Sequence, residues 1–320
     1  MTPENLQHPE QPTFYFVGVT TGYSSIMRVF PRWVEHLDLG GTPIVGIDCK
    51  IHDEPEVYRR VTQFIKEEPN ALGALVTTHK IDLLQAARDL FDELDENAEL
   101  LGEVSCISKR DGRLRGHALD PITSGLSLQA FLPEDHFERT GADLCLLGAG
   151  GSSLALTTYV LTEISENRRP KRLYVTNRSL LRLESMKEIH RSLEPSVPVE
   201  YAHAPAPEQN DAVVGGLADG SLVANATGLG KDAPGSPVTD EVQFPRGAYV
   251  WDFNYRGDLL FLEQARRQQE TRQLVVEDGW RYFVHGWIAA MSEVFHVEIP
   301  RSGPEFDKLS EIAARARKEG

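Results

Sequence analysis

Apolar positions along the chain fall into two alternating kinds of run. Phe14–Val19, Pro43–Ile51 and Gly73–Thr78 are short and dense, with the length and side chains of buried strands. Between and after them, Ile26–Leu39, Pro55–Glu68 and Lys80–Leu101 repeat their apolar residues at helical spacing, the first kinked or started near Pro31. Glu103–Asp120 reads as two short extended runs around the turn signal Arg110-Asp111-Gly112. A second series then begins. It predicts a connecting helix over Leu126–Phe137, a strongly apolar strand over Ala142–Gly148, and a helix over Gly151–Glu166. Arg172–Asn177 reads as a strand and Ser179–Leu193 as a helix. Val199–Pro205, Ser221–Gly228, Ala248–Asn254 and Arg272–Gly279 supply further strands, and Gly257–Gln269 is helical. The closing Trp280–Phe295 is amphipathic and rich in aromatics. Strands alternating with helices predict α/β layers around largely parallel sheets. Neither an internal repeat nor a low-complexity tract interrupts the pattern.

Length turns this into two domains, since 320 residues exceed what one core usually serves. No apolar stretch approaches the roughly 18 to 20 residues that span a bilayer. Residues 1–12 lack a basic segment followed by an apolar one, and read as a polar, disordered lead-in rather than a secretory signal. Cys49, Cys106 and Cys145 are odd in number and far apart, which argues against a disulfide framework or a thiolate zinc site and for a reducing cytoplasm. No cluster with metal-ligand spacing is visible, so no metal is expected. The formal charge of -15 argues against nucleic acid and anionic membranes as partners. A small anionic substrate would need a local basic pocket.

The clearest chemical signal is Gly148-Ala149-Gly150-Gly151-Ser152-Ser153, set between the apolar strand and a helix. Glycines there permit a tight turn and close approach of backbone to a pyrophosphate, which the helix N-terminus attracts. Ser153 stands where a third glycine is usual. A fold that takes NAD normally ends its next strand with an acid for the ribose hydroxyls. Here that strand ends in Asn177-Arg178-Ser179, with Arg182 close behind. A guanidinium and a hydroxyl suit a 2′-phosphate that a carboxylate would repel, so NADP is the predicted cofactor.

These segments, followed by Asn225-Ala226-Thr227-Gly228-Leu229-Gly230, resemble the nucleotide domain of the shikimate dehydrogenase family in order and approximate spacing. Trp251–Ala265 is similar to that family's Asp-x-x-Tyr segment, with Asp252 and Tyr255 matched. Asp278–Phe295 resembles its glycine-led helix folding back onto the first domain. Gly73–Lys80 resembles the segment bearing the family's lysine, Gly116–Gly125 the one bearing its aspartate, and Tyr23–Met27 its serine loop. The likeness covers roughly residues 14 to 298. It implies an α/β chain with a substrate domain over residues 13–119 and 279–320, and a Rossmann-like NADP-binding domain over 120–278. It implies an NADP-dependent alcohol oxidoreductase of the shikimate and quinate dehydrogenase kind, serving aromatic amino acid biosynthesis. The catalytic pair would be Lys80 and Asp120, facing a cleft where the nicotinamide arrives. Ser24, Thr77, Ser105 and Tyr255 would contact substrate. Gly148, Ala149, Gly150, Gly151, Ser152, Asn177, Arg178, Ser179, Arg182, Asn225, Ala226, Thr227 and Gly228 would hold the cofactor. A small-molecule substrate is the implied partner, and a homodimer is compatible with the likeness.

The chemistry asks for these residue types. Oxidising a secondary alcohol requires its hydroxyl proton to leave, and a lysine amine held by a carboxylate can relay that proton. The chain departs from the family where substrate hydroxyls would be read. Leu75, Ser105 and Ala118-Leu119 replace asparagine, asparagine and asparagine-threonine; Ile26 replaces serine and Gly286 glutamine. Thr78-His79 stand where a proline motif one residue longer is usual. This pattern predicts a less polar, roomier pocket and a substrate related to shikimate. His79, His117 and His285 are candidate replacement contacts but read more simply as packed or solvated histidines. Arg28, Arg256 and Arg281, and less so Arg115, are candidate carboxylate anchors. The alternatives are a ligand- or nucleotide-binding regulator without turnover, and a folate-linked dehydrogenase of similar plan.

Overall fold

The computed structural model describes residues 1–231 and 233–318. It divides into two compact units, Met1–Leu119 with the segment from Gly286 onward, and Asp120–His285. The chain passes between them at Leu119/Asp120 and again inside the helix Trp280–Phe295.

The first unit is built on one sheet of β1 (Thr13–Gly18), β2 (Ile44–Asp48), β3 (Ala71–Val76), β4 (Glu93–Leu94), β5 (Cys106–Arg110) and β6 (Arg113–His117), in the order β2-β1-β3-β5-β6-β4. β1 runs parallel to both neighbours and every one of its residues is buried, which explains the unbroken apolar run in the sequence. β5 and β6 form the expected hairpin, with Asp111 and Gly112 at φ +51 and +75 supplying its tight turn. The helix Ile26–His36 holds Pro31 inside it and packs against the last helix, Gly303–Lys318, where the Trp33 indole donates to the Leu309 carbonyl at 2.8 Å. That last helix, and another at Pro207–Gly215, lie outside the elements the apolar pattern indicated.

Lys80–Leu101 is not one helix. It breaks into a helix Lys80–Ala87, the strand β4 and a helix Glu96–Leu101. β4 pairs with Arg115–Gly116 of β6, and Asp95 accepts N–H bonds from Ala98 at 2.7 Å and Ala118 at 3.2 Å. Those partners are distant in sequence, so local periodicity could not report them. Residues 1–12, expected as a free lead-in, are tied to the sheet. The Met1 ammonium donates to the Gly46 carbonyl at 2.8 Å, and the Asn70 amide to the Pro9 carbonyl at 2.8 Å.

The second unit has a sheet of β7 (Leu144–Leu147), β8 (Leu173–Asn177), β9 (Val199–His203), β10 (Leu222–Asn225), β11 (Tyr249–Asp252) and β12 (Val275–Glu277). All its pairs are parallel, in the order β9-β8-β7-β10-β11-β12, the 3-2-1-4-5-6 arrangement of doubly wound dinucleotide folds. The connecting helix lies earlier than expected, at Asp120–Gln129, with a separate short helix at His136–Thr140 beyond Pro133. No helix among the described residues is long and apolar enough to cross a membrane.

Candidate functional site

In the second unit the strand order reverses between β7 and β10, the position where such sheets open a crevice beyond their carboxyl ends. Both strands end there in the predicted loops. Gly148 takes φ +109, and its N–H donates to the Thr176 carbonyl at 2.8 Å. A Cβ at Gly148 would lie 2.9 Å from the Ala226 oxygen, so only glycine lets the loop after β10 lie so close. Ala149 is buried beneath the turn. Ser153 is fully buried, and its hydroxyl donates to the Gly148 carbonyl at 2.5 Å, pinning the turn to the helix Gly151–Thr162. Gly150 caps that helix without a side chain, and Gly151 is exposed. The first-turn N–H groups at Gly151 and Ser152 have no carbonyl within the helix to bind.

β8 ends at Asn177, whose side chain donates to the Ser179 carbonyl at 3.2 Å. Ser179 caps the helix Leu180–Ser192, and Arg178 and Arg182 are both exposed there. Asn225 is different. It is fully buried, its Oδ1 accepts from the Thr227 N–H at 3.0 Å and the Thr227 hydroxyl at 2.7 Å, and its amide donates to Asp252 at 3.0 Å. Its side chain therefore shapes the loop that follows β10. Tyr255 packs with Trp280 and Phe283, ring centroids 5.4 and 4.8 Å away.

In the first unit, a buried network fixes the loop after β1. Thr21 donates to Asp48 from its N–H at 2.8 Å and its hydroxyl at 2.6 Å, and Gly46 makes room, since a Cβ there would meet Thr21 Oγ1 at 1.9 Å. Ser24 and Ser25 follow, both buried at the start of the helix Ile26–His36. Beyond β3, the Thr77 hydroxyl donates to the Val17 carbonyl at 3.3 Å. His79, buried, places Nδ1 3.1 Å from the Tyr58 hydroxyl. Lys80 then opens its helix, half-buried. Burial lowers its proton affinity from the usual lysine value, while the Glu103 carboxylate pulls the other way.

Ser105, expected to contact substrate, sits among backbone partners. It is buried, donates to the His117 carbonyl at 3.3 Å and accepts from the Leu119 N–H at 2.9 Å, so its hydroxyl is engaged with backbone on both sides. His117 bonds the Ser108 hydroxyl at 2.8 Å and lies 3.6 Å from Asp95. Of the arginines, Arg28 reaches the Ala316 carbonyl at 3.4 Å, Arg115 pairs with Glu93 at 2.8 Å and Arg281 with Glu277 at 3.3 Å; Arg256 is exposed. The three cysteines are free and buried, and burial pushes the Cys49 and Cys145 thiols up to about 12. Among the described residues no three His, Cys, Asp or Glu side chains group as metal ligands. Sequence reasoning missed Glu103, a single acid at the head of the buried run from Glu103 to Ser108.

No family model matches the chain. It is 30% identical to the shikimate dehydrogenase (NADP(+)) of Streptococcus thermophilus over 179 residues, 56% of this chain and 58% of that one. The chain thus spans little more than half the length of the first relatives it matches. The shikimate dehydrogenase (NADP(+)) of Methylobacterium radiotolerans extends the match to 296 residues at 28% identity, 92% of this chain and 94% of that one. Over most of its length the chain is similar to shikimate dehydrogenases. The solved shikimate dehydrogenase of Aquifex aeolicus shares the fold, with a TM-score of 0.72 over 97% of this chain and 100% of that one at 18% identity.

Proposed function

We propose that the protein is an NADP-dependent alcohol oxidoreductase that transfers hydride between NADP and a shikimate-related cyclic hydroxy or keto acid. One observation carries the reading: a lysine whose amine is depressed by burial opens a helix in one unit, and the other unit bears a glycine cradle at its switch point. The cradle fits a dinucleotide. Gly148 admits no side chain, the first-turn N–H groups beyond Gly150 suit a pyrophosphate, and Arg178, Ser179 and Arg182 suit a 2′-phosphate. NADP, when bound, supplies or accepts the hydride at its nicotinamide. Lys80 as the amine takes the substrate hydroxyl proton during oxidation, and as the ammonium returns it during reduction. Asp120 is the carboxylate we assign to the same reaction, and Ser24 and Thr77 are the remaining hydroxyls for substrate. Tyr255 completes the set from its aromatic cluster.

A binding protein without turnover is the second reading, and the engaged hydroxyl of Ser105 favours it. A site that loses a partner for a substrate hydroxyl sacrifices roughly 1–3 kcal/mol at that contact. Spectrophotometric assay of NADP and NAD reduction with shikimate, quinate and related cyclic alcohols separates the two. Turnover that Lys80→Ala abolishes, with NADP binding retained, supports the enzyme. NADP binding with no turnover of any compound supports the regulator.

A further inference from the structure

Glu103 is a buried acid that the chemistry above does not use. It is 3% exposed, and its Oε1 has no hydrogen-bond partner. Gly102, at φ +63, ends the helix Glu96–Leu101 and turns the chain back toward β3. The Val104 N–H then donates to the Lys80 carbonyl at 3.2 Å, and the Val76 N–H to the Ser105 carbonyl at 2.8 Å. These bonds lay residues 103–105 against the junction where β3 gives way to the helix of Lys80. A carboxylate held from water with an unmade hydrogen bond is costly unless an opposite charge compensates it.

We propose that Glu103 is a positioning residue for Lys80, its buried carboxylate holding the lysine side chain as an ammonium and so keeping the acid form ready for carbonyl reduction. The inference rests on reading Lys80 as the proton-transfer group. In reduction, the carbonyl carbon gains hydride from NADPH and the oxygen gains a proton from the Lys80 ammonium. The neutral amine left behind regains its proton from solvent. The other charged groups on nearby elements pair elsewhere: Asp82 with His52 at 2.9 Å, and Asp95 with His117 at 3.6 Å. His79, the residue before Lys80, faces the Tyr58 hydroxyl, and burial lowers its proton affinity. Asp120 is the remaining carboxylate assigned to the same chemistry.

The test reads Lys80 directly. The pH dependence of its acetylation by acetic anhydride is followed by peptide mass spectrometry in the full chain, with exposed lysines as internal reference. In Glu103→Gln the midpoint for Lys80 falls by about one pH unit or more, because the opposite charge is gone. Glu103→Ala moves it the same way, and Glu103→Asp stays nearer the parent. With a turned-over substrate, the rise of kcat/KM for alcohol oxidation moves to lower pH in step. An unchanged Lys80 midpoint in folded Glu103→Gln or Glu103→Ala overturns the inference. A shifted midpoint in a chain that turns over no substrate leaves the pairing standing and removes the oxidoreductase reading instead.

Discussion

Asn225 and Asp252 face each other at the carboxyl ends of β10 and β11, fully buried, with the asparagine amide donating to the carboxylate at 3.0 Å. Burial pushes the Asp252 carboxyl up to about 6, against hydrogen bonds from Asn254 and Asn225 that favour the anion. Between its unfolded value of 3.8 and about 6, the folded state therefore keeps a proton that the unfolded state has released. Stability from this group is greatest below pH 4 and is lost as pH rises to 6, by about 3 kcal/mol in all. Asp252→Asn removes that slope. Urea unfolding should find the variant gaining on the parent protein as pH rises from 4 to 6 and level above.

His190 has the opposite sign. Burial drops it to about 4, and its ring bonds the Thr157 and Tyr201 hydroxyls, both at 2.7 Å. The unfolded state takes a proton below about 6.5 and the folded state only near 4, so stability is lost as pH falls through that window. The magnitude is again about 3 kcal/mol. His190→Gln should lose this acid sensitivity, and the two slopes should offset one another in the parent. If both variants track the parent at every pH, neither ionisation is coupled to folding.

Gly125 sits under the Tyr159 ring, where a Cβ would come within 2.2 Å of the nearest ring carbon. Gly125→Ala should destabilise the second unit by roughly 1–3 kcal/mol. Adding Tyr159→Val should recover part of that loss by thermal denaturation, since the ring is the obstacle.

Gly148→Ala combines a strained φ with a backbone clash at Ala226. Calorimetric titration with NADP should find affinity reduced by roughly tenfold or more, since the cradle itself must shift. Affinity equal to the parent's would place the pyrophosphate elsewhere.

Arg178→Ala tests cofactor choice separately. Losing a charge-assisted bond to the 2′-phosphate should weaken NADP by ~10-fold while leaving NAD nearly unchanged. Equal weakening of both would assign Arg178 to a phosphate the two cofactors share.

The legible parts of the fold share one property: their cause lies within a few residues. The strand-to-helix glycine turn, the hairpin at Asp111-Gly112 and the arginine where an acid is usual all follow from local backbone and charge rules. The break of Lys80–Leu101 did not, because β4 exists only through its pairing with β6.

What the sequence by itself determined is the α/β alternation, the glycine cradle and the residue types able to move a proton and bind a 2′-phosphate. Tertiary structure decided which polar groups remain available. It engaged the Ser105 hydroxyl with His117 and Leu119, closed Asn225 onto Thr227 and Asp252, and buried Glu103 beside the Lys80 backbone. A side chain's chemistry is written in its letter, but its partners and dielectric come from residues tens of positions away.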